Sequence, residues 1–334
     1  TQKTGFNALK QLIKSSDVII EDWVPSKAKS LHMDFETIQG INSNLLYCAM
    51  PPFGESGPLS DIPADDGVVS TIAGIHGDQG GKGFPPMYVK IPFVSYGTAF
   101  LASFAITTAL FERESSNMGQ KIEVPLYFGA IGMRPQYTIV TTNDSSLYSQ
   151  STAITSNSHQ IRNPVYGLYE CSDGWIFVAA GNEIFWEKFC SAIKMPELTQ
   201  DKRFFGAPWN IPSENQGTLH EIIKPILKSK NKAYWLKELS DADVPSAPAS
   251  DRSEFLSHPQ VIHNEILVEN NNPQIDATHQ FGIPIKMSKT PGEIGKPIDI
   301  KSKDTWDILR SLKFTKGQLS EMAANKIIPT ENAT

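Results

Sequence analysis

The sequence predicts an α/β protein in which a doubly wound open sheet is followed by a smaller α+β domain. Two successive segments each place a helical pattern directly before a short apolar strand, at residues 18–20 and again at 45–49. A helix that leads straight into a buried strand is half of an αβ repeat. Later, alternating apolar positions on either side of residues 172–174 predict an antiparallel hairpin, which marks the change to the second domain.

Composition indicates a globular protein and excludes several classes of function. Of the 334 residues, 40% are hydrophobic and 20% are charged, which is typical of a chain with a packed core and not of a disordered or fibrous one. The formal net charge of −6 gives no general attraction to nucleic acid or to an anionic membrane, so we expect neither partner. An anionic ligand would have to be held by local donors.

Targeting and redox signals favour a cytoplasmic protein. The opening residues contain no apolar signal-peptide core. The longest apolar stretch, 100–111, is interrupted by Ser103 and two threonines and is too short to span a bilayer. Cys48, Cys171 and Cys190 are widely spaced in predicted strand or helix cores, so we expect buried, reduced thiols. Because no CxxC or HxxxH pair is present, we expect no metal site, and we expect no permanently bound cofactor.

The middle of the first half combines a long loop with a long apolar helix. Residues 51–67 are rich in Gly and Pro and follow a predicted strand, which is where open α/β sheets bind ligands. A helix is predicted over 68–74. Residues 97–112 are apolar on nearly all sides, which predicts a helix buried on most faces, and small residues such as Gly97 allow another backbone to approach it closely. Residues 120–133 predict a further strand and helix.

The second half begins after a polar stretch. Residues 143–164 are rich in Ser, Thr and Asn and predict a linker or loop. After the hairpin, helices are predicted over 184–194 and 219–228, and a third, followed by a Pro-rich stop, within 232–248. Two last helices within 304–328 are expected to return to the first domain.

Several motifs together resemble one family. The stretches "FGESGPLSDIPADDGVVSTIAG", "GQKIEVPL", "GLYECSDGWIFVAAGNEIFWEKFCSAIKMPELTQDKRF", "WLKELSDADVPSAPAS" and "GIPIKMSKTP" follow one another along nearly the whole chain. In this order they resemble the family III CoA-transferases, the formyl-CoA transferase superfamily that also includes the 2-methylacyl-CoA racemases.

The resemblance implies an architecture as well as an activity. We expect a Rossmann-like, CoA-binding large domain at 1–150 plus 286–334, a linker at 151–164 and a small α+β domain at 165–285. The family pairs two chains that are threaded through each other, which implies an interlocked homodimer. The N-terminal βαβ unit of the family is absent from this sequence, so we expect either a truncated large domain or a partner chain that supplies this part.

The family's transferases use one aspartate at the junction before the buried helix. This carboxylate attacks an acyl-CoA thioester to form a mixed anhydride, which stays reactive enough to be opened again by CoA thiolate. In this sequence the position falls on Ser95 or, with a one-residue slip, on Val94, and no acid occurs between Asp78 and Glu112. Ser95 is either a replacement nucleophile or a hydroxyl that caps the helix N-terminus, where serine is favoured.

Two other carboxylates are candidates for the chemistry. The resemblance matches Asp66 to a recurrent acid of the family and Glu183 to an acid that faces the site, across the dimer in an interlocked pair. The alternatives are that Asp66 caps a helix starting at Gly67 and that Glu183 is a first-turn carboxylate that interacts with a helix dipole. Asp65 stands where the racemases have a histidine, which argues against two-base racemisation.

The resemblance also implies a set of contacts to CoA. Asp22 and Trp23 lie on the nucleotide-binding turn, where the tryptophan offers a stacking face. The remaining contacts are basic side chains near the phosphates, a wall beside the pantetheine and a wall near the acyl group. Lys27 and Lys29 are the basic side chains, Ala64 and Asp65 form the wall beside the pantetheine, and Leu126 forms the wall near the acyl group. The alternative for the two lysines is that they are simply solvated, and no phosphate-loop motif is present.

We therefore predict a CoA-transferase that moves CoA from an acyl-CoA to a small carboxylic acid, with CoA as a substrate. One alternative is a 2-acyl-CoA racemase or lyase on the same scaffold that uses Asp66 and Glu183. The other is a catalytically inactive subunit that binds CoA or a sister chain.

Overall fold

The computed structural model describes residues 3–80, 85–133, 163–272, 276–295 and 304–331. The chain divides into two compact units, one made of Thr1–Ala153 with Asp299–Thr334 and the other of Ile154–Ile298. Of the predicted linker 151–164, all but the last two residues lie outside the described residues.

The first unit has a three-layer arrangement around a small parallel sheet. Its elements in chain order are α1 (Lys3–Ser15), β1 (Val18–Glu21), α2 (Pro25–Ser30), α3 (Phe35–Gln39), β2 (Leu46–Ala49), α4 (Asp66–Ile72), α5 (Ile75–Gly80), α6 (Phe93–Ser116), β3 (Lys121–Glu123) and α7 (Leu126–Gly132). After the second unit, two helices of its C-terminal part follow, at Asp304–Ser311 and Lys316–Ala324. The predicted αβ repeats are confirmed, because β1, β2 and β3 pair side by side and all in parallel.

The central strand β2 is covered on both faces, which is what a doubly wound sheet requires. Tyr47 points into a cluster with Ile13 and Ile38, whereas the next residue, Cys48, points into a cluster with Ala102 on α6. The edge strand β1 differs from the expectation of full burial. Ile20 is 59% exposed, because β1 pairs on one side only within the described residues.

Helix α6 is longer and more exposed than the sequence predicts. It runs for 24 residues, and it is long and apolar enough to cross a membrane by length and composition alone, a test that core helices also pass. The expectation that this apolar segment is too short to span a bilayer was therefore wrong for the length of the helix. The expected burial on most faces was also wrong, since a stripe that includes Gly97 and Ala102 is buried while Phe100, Phe104 and Phe111 are 71%, 74% and 80% exposed.

The expectation that small residues permit a close backbone approach is confirmed where α6 meets α7. A Cβ atom on Gly129 would lie 2.8 Å from the backbone nitrogen of Thr98 and 2.9 Å from the carbonyl oxygen of Val94. Only a residue without a side chain allows this separation. The contact sets the position of the first turn of α6 against α7.

The second unit is an α+β arrangement with its own core. Its elements are β4 (Tyr166–Cys171), β5 (Gly174–Ala179), α8 (Glu183–Ala192), two 3₁₀ turns (Pro196–Gln200 and Lys202–Phe204), α9 (Ser213–Lys228), α10 (Lys232–Asp241), β6 (Ser246–Pro248), α11 (Arg252–Leu256), α12 (Pro259–His263), β7 (Leu267–Asn272) and β8 (Asp276–Phe281). The predicted hairpin is confirmed, with Cys171 opposite Gly174 across a two-residue turn. The second hairpin, β7–β8, has no counterpart in the sequence-based expectations.

The three cysteines are free and buried, as expected. Cys171 and Cys190 belong to the core of the second unit, together with Trp186, Phe189 and Leu239. The two C-terminal helices, which we label α13 (Asp304–Ser311) and α14 (Lys316–Ala324), form a separate cluster with Ala8 of α1. Their predicted return to the first domain is confirmed by this packing.

Candidate functional site

The candidate site lies in the first unit, at the edge where its three parallel strands end. Glu21 is paired with Ala49 and Ala49 with Glu123, so the carboxyl ends of β1, β2 and β3 lie side by side. Three connections leave from this edge: the turn with Asp22 and Trp23, the long loop 50–65, and the residues before α7. The loop predicted to bind a ligand therefore begins at an edge of the sheet that all three strands share.

The start of α4 is capped by Asp65 and not by Asp66. One oxygen of Asp65, Oδ1, accepts the backbone N–H of Val68 at 3.0 Å, which satisfies one of the unpaired donors of the first turn. The alternative that Asp66 caps a helix starting at Gly67 is therefore wrong. Asp66 is the first residue of the helix, and its carboxylate is free to point elsewhere.

The Asp66 carboxylate reaches the first turn of α6. Its Oδ2 atom accepts the backbone N–H of Ser95 at 2.6 Å, and its Oδ1 atom accepts the hydroxyl of Ser70 at 3.2 Å. The residue before α6, Pro92, provides no side-chain acceptor of its own. Asp66 thus does for α6 what a capping side chain does, and its negative charge lies at the positive end of the helix dipole.

Ser95 is the third residue of α6, so the alternative that it is the N-cap is wrong. Its side chain is half-buried, and within the described residues its hydroxyl has no hydrogen bond to a base or to any other group. Val94, the other residue considered for the nucleophile position, is fully buried and carries an alkyl side chain. Of the two positions, only Ser95 presents a polar group at the junction.

The predicted pantetheine and acyl walls lie beside this junction. Ala64 and Leu126 both pack against a cluster that contains Val69 and Val94. The backbone N–H of Leu126 also donates to the carbonyl of Pro51, which ties the start of α7 to the loop after β2. The structure therefore brings Ala64 and Leu126 together with the residues on either side of the Asp66–Ser95 contact.

The predicted nucleotide turn is held by a buried acid that the sequence reasoning missed. Glu21, which is 8% exposed, accepts the backbone N–H of Trp23 at 2.7 Å and contacts the hydroxyl of Tyr47 at 3.1 Å. That hydroxyl also donates to the carbonyl of Met33 at 2.8 Å, and it has only one proton to donate. The Glu21 carboxylate and the Met33 carbonyl therefore share this one proton.

Burial raises the pKa of Glu21, and the nearby charges of Glu55 and Asp22 act in the same direction, although the bonds from Trp23 and Tyr47 oppose them. Burial, together with the two charges, therefore outweighs the two hydrogen bonds in setting the pKa of Glu21. The only sequence signal for this role was an acid at the end of an apolar strand.

The lysines predicted near the phosphates are on the surface. Lys27 and Lys29 are exposed in the last turn of α2. The loop 50–65 contacts the same helix, because Asp61 accepts the backbone N–H of Ser26 at 2.9 Å. Asp22 is exposed on the turn before α2. These residues are near the strand edge in the fold, and their contact with phosphate stays a prediction.

A second missed residue is His76, which is 7% exposed. Its Nδ1 atom lies 2.9 Å from the hydroxyl of Thr71, which already donates to the carbonyl of Gly67. The other ring nitrogen, Nε2, has no hydrogen-bond partner among the described residues. A histidine in a Gly-rich stretch gave no sequence signal for burial.

Glu183 lies in the second unit, as the first residue of α8. It is exposed, and the helix is capped by Asn182, which accepts the N–H of Phe185 at 2.7 Å. Glu183 is therefore a first-turn carboxylate, and a role in catalysis stays a prediction. Over the described part of the chain, no group of three His, Cys, Asp or Glu side chains could hold a metal ion.

Comparison with known proteins gives one consistent family. Residues 1–298 match the family described as CoA-transferase family III. The mouse (Mus musculus) succinyl-CoA:glutarate CoA-transferase is 23% identical over 325 residues, which are 97% of this chain and 73% of the relative. The acetyl-CoA:oxalate CoA-transferase of Acetobacter aceti is 26% identical over 280 residues, which are 83% of this chain and 69% of the relative.

Solved structures show the same fold. A CAIB/BAIF family protein from Brucella suis superposes with a TM-score of 0.73 at 22% identity, covering 93% of this chain and 79% of that one. Rv3272 from Mycobacterium tuberculosis gives a TM-score of 0.74 at 20% identity, covering 89% of this chain and 78% of that one. At this level of identity the likeness concerns the fold alone.

Proposed function

The chain belongs to CoA-transferase family III, and we propose that it moves coenzyme A from an acyl-CoA thioester to a small carboxylic acid. The observation that carries the proposal is the position of the Asp66 carboxylate, 2.6 Å from the Ser95 N–H at the start of α6. Family chemistry needs a carboxylate at this junction, and the residue at the junction itself is not acidic. An acid that arrives from α4 supports an active enzyme over a catalytically inactive subunit.

We propose that the acceptor is a small dicarboxylic acid. The names of the similar enzymes pair succinyl-CoA with glutarate, and acetyl-CoA or formyl-CoA with oxalate. Glutarate and oxalate both carry two carboxylates, so one can receive CoA while the other is used for recognition. Because the chain has a net charge of −6, local donors must hold the second carboxylate.

For the CoA itself, we propose that it lies along the carboxyl edge of the sheet. Trp23 would stack on the adenine, Lys27 and Lys29 would contact phosphate, and the arm would pass Ala64 toward Leu126. The support is that the turn of Trp23 and the loop that carries Ala64 leave from neighbouring strand ends.

The racemase or lyase alternative has less support. The racemases that this chain resembles have a histidine beside this aspartate as an acid–base group. Asp65 stands at that position, but its carboxylate is committed to capping α4 through Val68. No specific contact favours that reaction over CoA transfer.

We also propose a cytoplasmic, interlocked homodimer. Phe100, Phe104 and Phe111 form an exposed apolar strip on α6, which we call the α6 ridge. Large apolar side chains grouped on one helix face are typical of an interface. The cytoplasmic location is supported by three free cysteines that form no disulfide.

The transfer reaction can be tested with defined donors and acceptors. The protein would be incubated with succinyl-CoA or acetyl-CoA and with ¹³C-labelled glutarate or oxalate, and the labelled acyl-CoA product would be measured by mass spectrometry. We expect labelled product and ping-pong kinetics. Deuterium uptake at the α-carbon without an acceptor acid would instead indicate racemase chemistry, and CoA binding without either reaction would indicate an inactive subunit.

A further inference from the structure

We propose that Asp66 is the nucleophile of the transfer, so that the acyl group and then CoA are carried on the Asp66 side chain and not on Ser95. This inference rests on the proposed function and names the residue that performs it.

Geometry places the Asp66 carboxylate at the junction where the chemistry is needed. The 2.6 Å bond from the Ser95 N–H to Oδ2 holds the carboxylate against the first turn of α6. The second oxygen, Oδ1, has a longer and weaker bond of 3.2 Å from Ser70. Oδ2 is thus the anchored oxygen, and Oδ1 is the oxygen that can leave its partner and attack.

The Ser95 hydroxyl lacks what a serine nucleophile requires. A serine hydroxyl needs an adjacent base to take its proton. The histidine closest in chain position, His76, is bonded through Nδ1 to Thr71, and its Nε2 has no hydrogen-bond partner among the described residues, Ser95 included. An acyl-serine would also be an ordinary ester, which a thiolate opens less readily than an anhydride.

Three other carboxylates at the strand edge, those of Glu21, Glu55 and Glu123, already have partners. Glu21 is buried and accepts hydrogen bonds from Trp23 and Tyr47, and burial raises its pKa. Glu55 forms an ion pair with Lys121, and Glu123 accepts the backbone N–H of Glu55 at 2.8 Å. Asp66 differs from them because its helix is capped by its neighbour and its own carboxylate is half-buried against the first turn of α6.

The reaction then balances without any other reactant. Oδ1 of Asp66 attacks the thioester carbonyl carbon, an O–C bond forms, the C–S bond breaks, and CoA leaves as the thiolate. The thiolate attacks Cγ of Asp66, which releases the donor acid as a carboxylate and leaves CoA as a thioester on Asp66. The acceptor carboxylate attacks this thioester, expels the thiolate again and forms a second anhydride. Attack of the thiolate on the acyl carbon of the acceptor yields the new acyl-CoA and restores Asp66.

Chemical trapping tests which residue carries CoA. The protein would be incubated with succinyl-CoA and treated with sodium borohydride, which reduces an enzyme-bound thioester to an alcohol. Peptide mass spectrometry would then locate the reduced side chain. We expect it at Asp66, and we expect the same site in Ser95→Ala. Reduction at another carboxylate, such as Glu183, or an acyl group found on Ser95, overturns the proposal.

Activity gives the second readout. Asp66→Asn should lower transfer from succinyl-CoA to glutarate by at least about 1000-fold, and Asp66→Glu should restore part of it. Asp66→Ala is measured alongside, because an amide before Gly67 can deamidate back to a carboxylate. Asp34→Asn is the matched control, since Asp34 also accepts a helix N-terminal N–H, that of Thr37 at 3.1 Å, but lies outside the site.

The two proposals fail in different ways. If the wild-type protein transfers CoA and Asp66→Asn keeps its rate, the nucleophile is elsewhere and the transferase assignment stands. If the wild-type protein neither transfers CoA nor is trapped with any of the donors, the transferase assignment is wrong and the nucleophile proposal is overturned with it.

Discussion

Asp66 and Ser95 are 29 residues apart in the chain, yet the carboxylate of one accepts the backbone N–H of the other at 2.6 Å. The contact joins the first residue of α4 to the first turn of α6. It places a carboxylate beside the first turn of α6, which has no acidic residue of its own.

The Asp66–Ser95 contact should stabilise the first unit. Asp66→Ala removes the acceptor of an N–H in the first turn of α6, and we expect a loss of about 1 kcal/mol in the free energy of unfolding. Asp66→Asn keeps an oxygen acceptor and should lose clearly less. Urea denaturation of both variants measures the difference, and equal losses would contradict a capping role for the side-chain oxygen.

The close approach of α6 and α7 depends on Gly129. In Gly129→Ala the new methyl group would lie 2.8 Å from the nitrogen of Thr98, so the helices must move apart, and we expect a loss of about 1–3 kcal/mol. Gly217→Ala in α9 is the control, because a Cβ there meets nothing within 4 Å. That control should gain roughly 0.5–1 kcal/mol from helix propensity. Thermal or urea unfolding distinguishes the two, and a neutral Gly129→Ala would mean that the helices are not in contact there.

Glu21 should make stability depend on pH. Its pKa in the folded state is raised above the ordinary value of 4.5, chiefly by burial, so the folded protein binds the proton more tightly than the unfolded chain does. The stabilisation is complete below pH 4.5 and is lost as the pH rises through the raised pKa. Glu21→Gln keeps a side-chain oxygen that can accept the N–H of Trp23, and it carries no charge at any pH.

The stability of Glu21→Gln relative to the wild type should therefore increase from pH 4 to pH 8. Urea unfolding at each pH measures this difference. Glu114→Gln, at an exposed glutamate, is the control for replacing a carboxylate by an amide. A difference that is constant with pH would mean that folding does not raise the pKa of Glu21.

The buried cysteines should be unreactive in the folded protein. Burial raises the pKa of Cys48 to about 11 and also raises the pKa of Cys171 and Cys190, so almost no thiolate is present at pH 8. We expect no alkylation by iodoacetamide under native conditions and alkylation of all three cysteines in urea. Rapid reaction of any one of them in the native protein would show that its site is open.

The α6 ridge should hold two chains together. Replacing Phe104, which is 74% exposed, by glutamate puts a charge in the middle of the proposed interface, and we expect the dimer to dissociate. Light scattering with size-exclusion chromatography measures the mass before and after the change. Phe281→Glu, at a phenylalanine that is 77% exposed in the second unit, is the control for adding a charge. A wild-type protein with the mass of one chain would reject the dimer.

Much of the fold could be predicted because short-range patterns of apolar residues identify its helices and strands. The period of apolar residues predicted the αβ repeats, and the alternation around residues 172–174 predicted the β4–β5 hairpin with its two-residue turn. The burial of α6 could not be predicted in this way. Because this helix is apolar on nearly all sides, the sequence pattern does not show which face packs against the rest of the chain and which face is exposed.

For the candidate site, the sequence predicted which residues to consider but not what each one contacts. Asp65, Asp66 and Ser95 were all candidates, and two of their capping roles were assigned to the wrong residue. Neighbouring aspartates at a helix start are equivalent in a sequence pattern. Which one caps the helix depends on the path of the chain before it.

The amino-acid sequence by itself determined the class of fold, the strand and helix order, and the absence of an acid at position 95, because these depend on residue type and short-range period. Only the tertiary structure decided that Asp66 lies against Ser95 and that the buried Glu21 accepts the backbone N–H of Trp23. Both contacts depend on how the helices and strands pack against one another. That packing includes close backbone approaches, such as that of Gly129 to Thr98, between residues far apart in the chain. A short-range sequence pattern does not predict such contacts.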